Sequence, residues 1–308
     1  MCMKELKFIN ILQSIAILGL SLGIVCLLLF RKKQPETTPV SLETQVNQTP
    51  EEFESLSELE SYHQHETTGE KILLSDSAFG EIWIPVLAEV PACTYQTEKF
   101  VTRNNLTYYL EDKKIVSKLG IDVSAHQGDI NWQEVKSAGI DFVMIRAGYR
   151  GYTEGTLVKD EYFEKNMQGA QEAGLDIGVY FYSQAINTEE AIEEAEMVLN
   201  LINGANLTYP VVYDWEVVTT DTARTDTISV ETLTNCSIAF CEKIKESGYI
   251  PMIYQNKRTS LLKLDLPELT DYDFWLAEYN RQATYYYHYQ MWQYASDGRI
   301  AGISGEVD

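Results

Sequence analysis

The strongest chemical signal in this 308-residue sequence is a pair of acids closing an apolar run, Val211-Val212-Tyr213-Asp214-Trp215-Glu216. Residues i and i+2 of a strand face the same way, so Asp214 and Glu216 project together while Tyr213 and Trp215 face the other side. Their Cα atoms lie about 7 Å apart in such a strand. Each carboxylate raises the cost of ionising the other, so one can stay protonated near neutral pH. Glycoside hydrolysis needs that division of labour: an acid protonates the leaving oxygen while an anion stabilises or attacks the oxocarbenium-like centre. A third acid, Asp122, ends the run Gly120-Ile121-Asp122 and would face the pair across a shared cleft. An isolated Asp-x-Glu more often belongs to a solvated rim or an ion-pair network. Its place at the end of a buried strand favours chemistry here.

Aromatic residues support a sugar ligand, because sugar rings stack their C–H faces on Tyr and Trp while their hydroxyls seek polar partners. Tyr149, Tyr180, Tyr182, Trp275 and Trp292 stand near expected strand ends, with Arg146 among the polar residues there. Other chemistries lack their parts. From residue 120 onward the histidines are His126 and His288, and no His-x-x-x-His or His-Glu-x-x-His pair offers a zinc site. No Gly-x-Ser-x-Gly elbow or Walker loop is present, and no cofactor or metal is expected.

The elements that must position these residues follow from the pattern after Gly120, where short apolar strands alternate with helical stretches as in successive βαβ units. Strands are expected over 121–124, 141–147, 176–183, 210–216, 249–255, 273–279, 288–294 and 303–308. Helices fit the first five gaps, for example 160–173 and 188–202, the latter with Thr188 as N-cap. The fold class is therefore α/β, a modified TIM-like barrel of about five βα units plus three further strands, with an open doubly wound sheet as the alternative. In a barrel the chemistry sits at the C-terminal strand ends. Gln255, Gln290 and Asp308 stand there beside the residues already named.

Four segments are expected. Residues 1–33 form a short tail and a transmembrane anchor, since 11–30 is a mostly apolar run followed by Arg31-Lys32-Lys33. A cleaved signal is the rival, but no small-x-small site follows. Residues 34–70 read as a disordered linker rich in Glu, Thr, Gln, Pro and Ser, with His63 and His65 as an exposed polar pair. Residues 71–119 read as a small β segment with no recognisable chemistry, and 120–308 as the catalytic barrel. The cluster Tyr285-Tyr286-Tyr287 is expected on a loop or sheet edge, and Cys93, Cys236 and Cys241 as ordinary thiols. A net charge of −22, from 46 acidic and 24 basic residues, opposes binding to a phosphate backbone, so no nucleic-acid partner is expected. The same charge weakens adsorption to an anionic wall, which a membrane tether would offset. The charged residues flanking 11–30 are nearly balanced and leave its orientation to the chemistry.

Six motifs in order carry a family resemblance: Gly-Ile-Asp-Val-Ser-Ala-His-Gln-Gly from Gly120, Ile-Asn-Trp from Ile130, Ile-Arg-Ala-Gly-Tyr-Arg from Ile145, Tyr-Asp-Trp-Glu from Tyr213, Trp-Leu-Ala-Glu-Tyr from Trp275 and Trp-Gln-Tyr from Trp292. Together they resemble glycoside hydrolase family 25. The resemblance implies a lysozyme (N-acetylmuramidase) that cuts the β-1,4 bond between N-acetylmuramic acid and N-acetylglucosamine in peptidoglycan glycan strands. It implies a barrel with five helices and three terminal antiparallel-like strands. It also implies Glu216 as proton donor, Asp214 as its anionic partner, Asp122 as a third essential acid and Asp308 as a fourth near the cleft. The substrate-binding set is Asp308, Tyr149, Tyr180, Tyr182, Trp275 and Arg146. Such chains usually run several residues beyond Val-Asp, so an incomplete eighth strand is expected at Asp308. Retention, inversion and acetamido participation remain open, and a non-catalytic glycan-binding module on the same fold is the alternative function. The implied localisation is the cell membrane, with the catalytic domain extracytoplasmic.

Overall fold

The computed structural model describes residues 62, 64–76 and 80–308. The expected membrane span over 11–30 lies outside the described residues, as does most of the expected linker. Among the described residues no helix is long and apolar enough to cross a membrane.

The strands and helices alternate from Gly120 onward. Strand β6 (Gly120–Val123) is followed by α1 (Trp132–Ser137), β7 (Phe142–Arg150), β8 (Leu157–Lys159), α2 (Phe163–Glu172), β9 (Asp176–Ser183), α3 (Thr188–Ile202), β10 (Val211–Trp215), α4 (Val230–Glu246), β11 (Pro251–Asn256), α5 (Lys257–Lys263), β12 (Asp273–Ala277) and β13 (Met291–Gln293). The sheet order is β13-β12-β11-β10-β9-β7-β6, with β8 antiparallel on β7. Every other pairing on that path is parallel. Helices follow each of the first five parallel strands, as the periodicity implies.

The two faces of this sheet are covered differently, and that decides between a barrel and an open sheet. One face carries the large core, in which Val211, Tyr213 and Trp215 of β10 meet α3 and α4 residues such as Ala195, Val198, Phe240 and Ile244. The other face buries a small cluster of Met144, Val212, Met252, Tyr254, Trp275 and Ala277, drawn from strands alone. A doubly wound sheet would place helices on both faces. Here the sheet curls on itself into a half-barrel, and its inner face can bury only a few large side chains.

Several expectations need correction. Residues 303–308 form no strand: Val307 makes an isolated bridge to Gly298, and Gly305 turns the backbone into the positive-φ region at 119°. The segment still lies beside β6, because the Asp122 amide donates to the Asp308 carbonyl at 3.2 Å. Of the three terminal strands expected to be antiparallel-like, β12 and β13 are parallel. Strand β8 escaped notice because three residues carry too little pattern. Helix α2 begins at Phe163, since the Asp160 carboxylate engages the Tyr162 amide and Ala125 amide instead of starting a helix. Asn187, not Thr188, caps α3, accepting from the Glu190 amide at 2.9 Å.

Before the half-barrel, β1 (Thr67–Asp76) pairs with β2 (Gly80–Leu87), while β3 (Phe100–Arg103), β4 (Leu106–Glu111) and β5 (Lys114–Ile115) form a second small antiparallel sheet. Strand β1 starts inside the stretch expected to be linker. Alternation explains the docking of β1 and β2: Ile72, Leu74, Ile82 and Ile84 point into the large core, and Leu73 and Trp83 point out. His65 is largely covered rather than exposed, with Nε2 2.8 Å from Asp265 Oδ1; His63 lies outside the described residues. Tyr285 and Tyr287 are buried, and the Leu87 amide donates to the Tyr287 hydroxyl at 2.9 Å. That tyrosine cluster is therefore a seam between β2 and the half-barrel. Cys93, Cys236 and Cys241 are free thiols, the last two buried.

Candidate active site

Strand parity places the acids as the spacing requires. Val212 belongs to the inner cluster, so Asp214 and Glu216 face inward on the same side of β10, while Tyr213 and Trp215 pack against the helices. The register of β9 on β10 pairs Asp214 with Tyr182, and that of β11 on β10 pairs it with Tyr254. Asp122 faces inward from β6, between Ile121 and Val123 of the outer core.

Four carboxyl groups converge at this end of the half-barrel. Asp122 is 8% exposed and Asp214 5%, with Glu216 and Asp308 half-buried. Burial pushes the Asp122 carboxyl up to about 8, the Asp308 and Glu216 charges adding to the effect and the Gln293 amide opposing it. Asp214 is raised well above the carboxylate range, first by burial and then by the Glu216 and Asp122 charges, with the Arg146 guanidinium pulling the other way. Glu216 is raised by burial and by Asp308, and Asp308 by burial. The physical cause is common to all four. The groups are withdrawn from bulk solvent, like charges are close, and binding protons is the easiest way to lower the local charge.

Side chains from the last strands hold this cluster. Gln293 Nε2 donates to Asp122 Oδ2 at 2.8 Å, and Gln293 Oε1 accepts from the hydroxyls of Tyr254 at 2.8 Å and Tyr279 at 3.0 Å. Since the sheet order ends at β13 on one side and β6 on the other, this Gln293–Asp122 bond spans the opening of the half-barrel. Asp214 Oδ1 is buried and has no hydrogen-bond partner among the described residues.

The expected binding residues divide. Tyr182 stands half-buried against Glu216 and Asp214, and burial first, then both acids, raise its hydroxyl. Tyr180 lies deeper, beside Asp122 and Asp214. Trp275 is 5% exposed and meets Tyr254 and Tyr180 edge-on, with ring centroids 4.9 and 6.2 Å apart. It is buried among these rings and offers no open stacking face. Arg146 is engaged by Asp160, donating from Nε at 2.9 Å, and its guanidinium lies over the Tyr149 ring at 5.5 Å. Arg146 therefore acts on Asp214 through its field, and Tyr149 is a platform for Arg146. Gln255 is 1% exposed on the outer face, Gln290 is exposed, and Trp292 Nε1 donates to the Glu278 carbonyl. None of these three joins the acids.

Sequence reasoning missed Tyr254, Tyr279, Gln293 and Asp160. For Tyr254 the parity was ambiguous, because Met252-Ile253-Tyr254-Gln255 is apolar on both faces until its last residue. For Gln293 the signal existed: one step beyond Trp292 reverses the face, and a large indole belongs to the outer core. Tyr279 and Asp160 stand at the ends of an expected strand and an expected helix, and both lie in loops.

The sequence and the fold are similar to those of known proteins. The model of glycosyl hydrolases family 25 matches residues 121–303. The chain is 30% identical over 195 residues to the autolytic lysozyme of Clostridium acetobutylicum, covering 61% of this chain and 54% of that protein. It is 30% identical over 204 residues to lysozyme M1 of Streptomyces globisporus, covering 61% of this chain and 65% of that protein. It thus spans between about half and two thirds of the length of these curated relatives. Among solved structures, the modular autolysin LytC from Streptococcus pneumoniae in complex with a synthetic peptidoglycan ligand superposes with a TM-score of 0.56 at 25% identity, over 78% of this chain and 57% of that one. With the family match covering more than half of the chain and the acids gathered at one strand end, this protein belongs to glycosyl hydrolases family 25.

Proposed function

We propose that the protein is a lysozyme-type glycosidase that hydrolyses the β-1,4 bond between N-acetylmuramic acid and N-acetylglucosamine in peptidoglycan. The observation that carries this reading is the shared inward face of Asp214 and Glu216, with both carboxyls held above their ordinary range. Among the causes acting on the pair, the one positive charge is Arg146, and it acts on Asp214. Burial and like charges raise Asp214 further than Glu216; the donor role is assigned to Glu216 on its greater exposure and on the family resemblance, and the Arg146 field supports the anionic role of Asp214. Glu216 would protonate the glycosidic oxygen as the C–O bond breaks, and Asp214 would stabilise the developing positive charge or its attacking partner. Asp122, neutral below about pH 8, would hold its neighbours without adding a charge.

Such a substrate places the catalytic unit outside the cytoplasm, and tethering through residues 11–30 is part of the same proposal. Fractionation of cells, with the catalytic unit probed by external protease, tests that placement.

The decisive experiment is digestion of purified peptidoglycan, with released fragments examined for reducing muramic-acid ends. Wild-type protein should release them, and Glu216→Gln should lose about 10²- to 10⁴-fold in rate, the range for removing a general acid, while its circular dichroism stays unchanged. Retained activity in Glu216→Gln would sink the assignment. Binding to peptidoglycan with no released fragments from wild type would leave the chain a glycan-binding module.

A further inference from the structure

We propose that Gln184 is a positioning residue for Glu216, and that Thr225 anchors the far end of its amide; this rests on the reading of Glu216 as proton donor. Strand β10 ends at Trp215, whose partner on β9 is Ser183, and its register with β11 stops at Asp214. Glu216 therefore lies one residue past the backbone ladder. Its carbonyl is instead held by a side chain: Gln184 Nε2 donates to Glu216 O at 2.9 Å. Gln184 follows β9 directly and is fully buried, so its amide continues the β9–β10 ladder by one step where the backbone cannot.

An amide can be turned end for end, and an inverted Gln184 would set oxygen against the Glu216 carbonyl. The Glu216 carbonyl can only accept, so it selects the Nε2 end, and Thr225 holds the other end, its hydroxyl donating to Gln184 Oε1 at 2.5 Å. Thr225 is 3% exposed and sits in the loop between β10 and α4, so its position depends on how that loop is fastened.

The fastening is ionic. Arg224 donates from both terminal nitrogens to Glu190 at the start of α3, at 2.7 and 2.9 Å, and its amide donates to the Tyr152 carbonyl. A Cβ on Gly155, whose φ is +70°, would meet the Arg224 guanidinium at 2.0 Å, so a side chain there would displace it from this position. Beneath it, buried Arg150 donates to Glu194 at 2.7 Å, to Glu193 at 3.1 Å and to the Glu190 and Gly155 carbonyls. Glu194 in turn lies against Ser183 and the Gln184 main chain. Two arginines and three glutamates thus bind the loops after β7, β9 and β10 around one amide. That amide meets the backbone of the proton donor rather than its carboxyl.

The test compares Gln184→Met, Thr225→Val and Thr225→Ser in the full chain on purified peptidoglycan, with Glu216→Gln as the control that must be inactive. Methionine keeps the volume of Gln184 and removes both amide groups. A displacement of about 1 Å at a catalytic group costs up to about a hundredfold. Gln184→Met should therefore lower kcat by about tenfold to a hundredfold, leave KM within about twofold, and move the alkaline limb of the pH profile, because the surroundings of Glu216 change. Thr225→Val should show a smaller loss in the same direction, and Thr225→Ser, which restores the hydroxyl, should recover most of it. A purely structural role would lower the melting temperature with kcat and the pH profile unchanged, and that result would overturn the proposal. So would a Thr225→Ser variant as impaired as Thr225→Val. An active Glu216→Gln control would instead overturn the donor assignment, leaving a distinct signature.

Discussion

Replacing Asp122 by asparagine should stabilise the fold at alkaline pH while impairing activity, and the size of the gain follows from the site. Burial and neighbouring acids raise this carboxyl from its ordinary 3.8 to about 8. A carboxyl whose pKa is higher in the folded state gives its full contribution to stability below the unfolded value, and loses it as pH rises through the folded one. The window here runs from about pH 4 to about pH 8. A tenfold difference in proton affinity between the folded and unfolded chains is worth about 1.4 kcal/mol, so the ceiling above pH 8 is roughly 6 kcal/mol. Relaxation and water entry reduce that ceiling. Even a third of it, about 2 kcal/mol, would move the melting temperature by roughly 4–8 °C in a domain of this size. Asparagine retains a carbonyl oxygen to accept from Gln293, and it cannot ionise. Thermal denaturation of both proteins from pH 4 to pH 9 should give curves that nearly meet at the acid end and separate steadily above pH 5, with the variant higher. Parallel curves, or a variant less stable at pH 8, would show that Asp122 carries no such penalty and would refute the electrostatic account of the cluster.

Asp308→Asn removes a charge that raises Glu216; the proton donor then ionises at lower pH, and the alkaline limb of the activity profile should move to lower pH. An unmoved limb would show that Asp308 does not act on the donor. Tyr254→Phe deletes one donor to Gln293, so stability should fall by about 1 kcal/mol in denaturant titrations and turnover by severalfold. Arg150→Met leaves Glu194 buried and unpaired, which should cost about 3–5 kcal/mol. Burial already lifts the Glu194 carboxyl to about 7 despite the arginine, so adding Glu194→Gln should recover much of that loss. No recovery in the double variant would argue against a charge effect.

What the sequence made legible was whatever repeats with a fixed period. The apolar alternation of 211–216 put Asp214 and Glu216 on one face, and the same rule oriented Asp122 between Ile121 and Val123. The helix after β9 was visible because Ala191, Ala195, Val198 and Ile202 recur at helical spacing. The eighth strand was misread because 303–308 has strand-like residues on a backbone turned by glycine. Trp275 and Arg146 were given to substrate because sequence places a residue on a face without showing what already occupies its polar or aromatic surface. The Gln184–Thr225 pair was invisible for a related reason: 41 residues separate its members, and neither residue type is unusual in a loop.

The opening between β13 and β6 has a consequence for how the molecule works. A complete hoop of amide bonds would make the wall of the cavity indifferent to pH. Here one link across the gap is Gln293 gripping Asp122, a member of the acidic cluster, beside the backbone bond from the Asp122 amide to the Asp308 carbonyl. The side-chain part of the closure therefore ends on a group that titrates. A change of charge in the cluster should alter how firmly the gap is held.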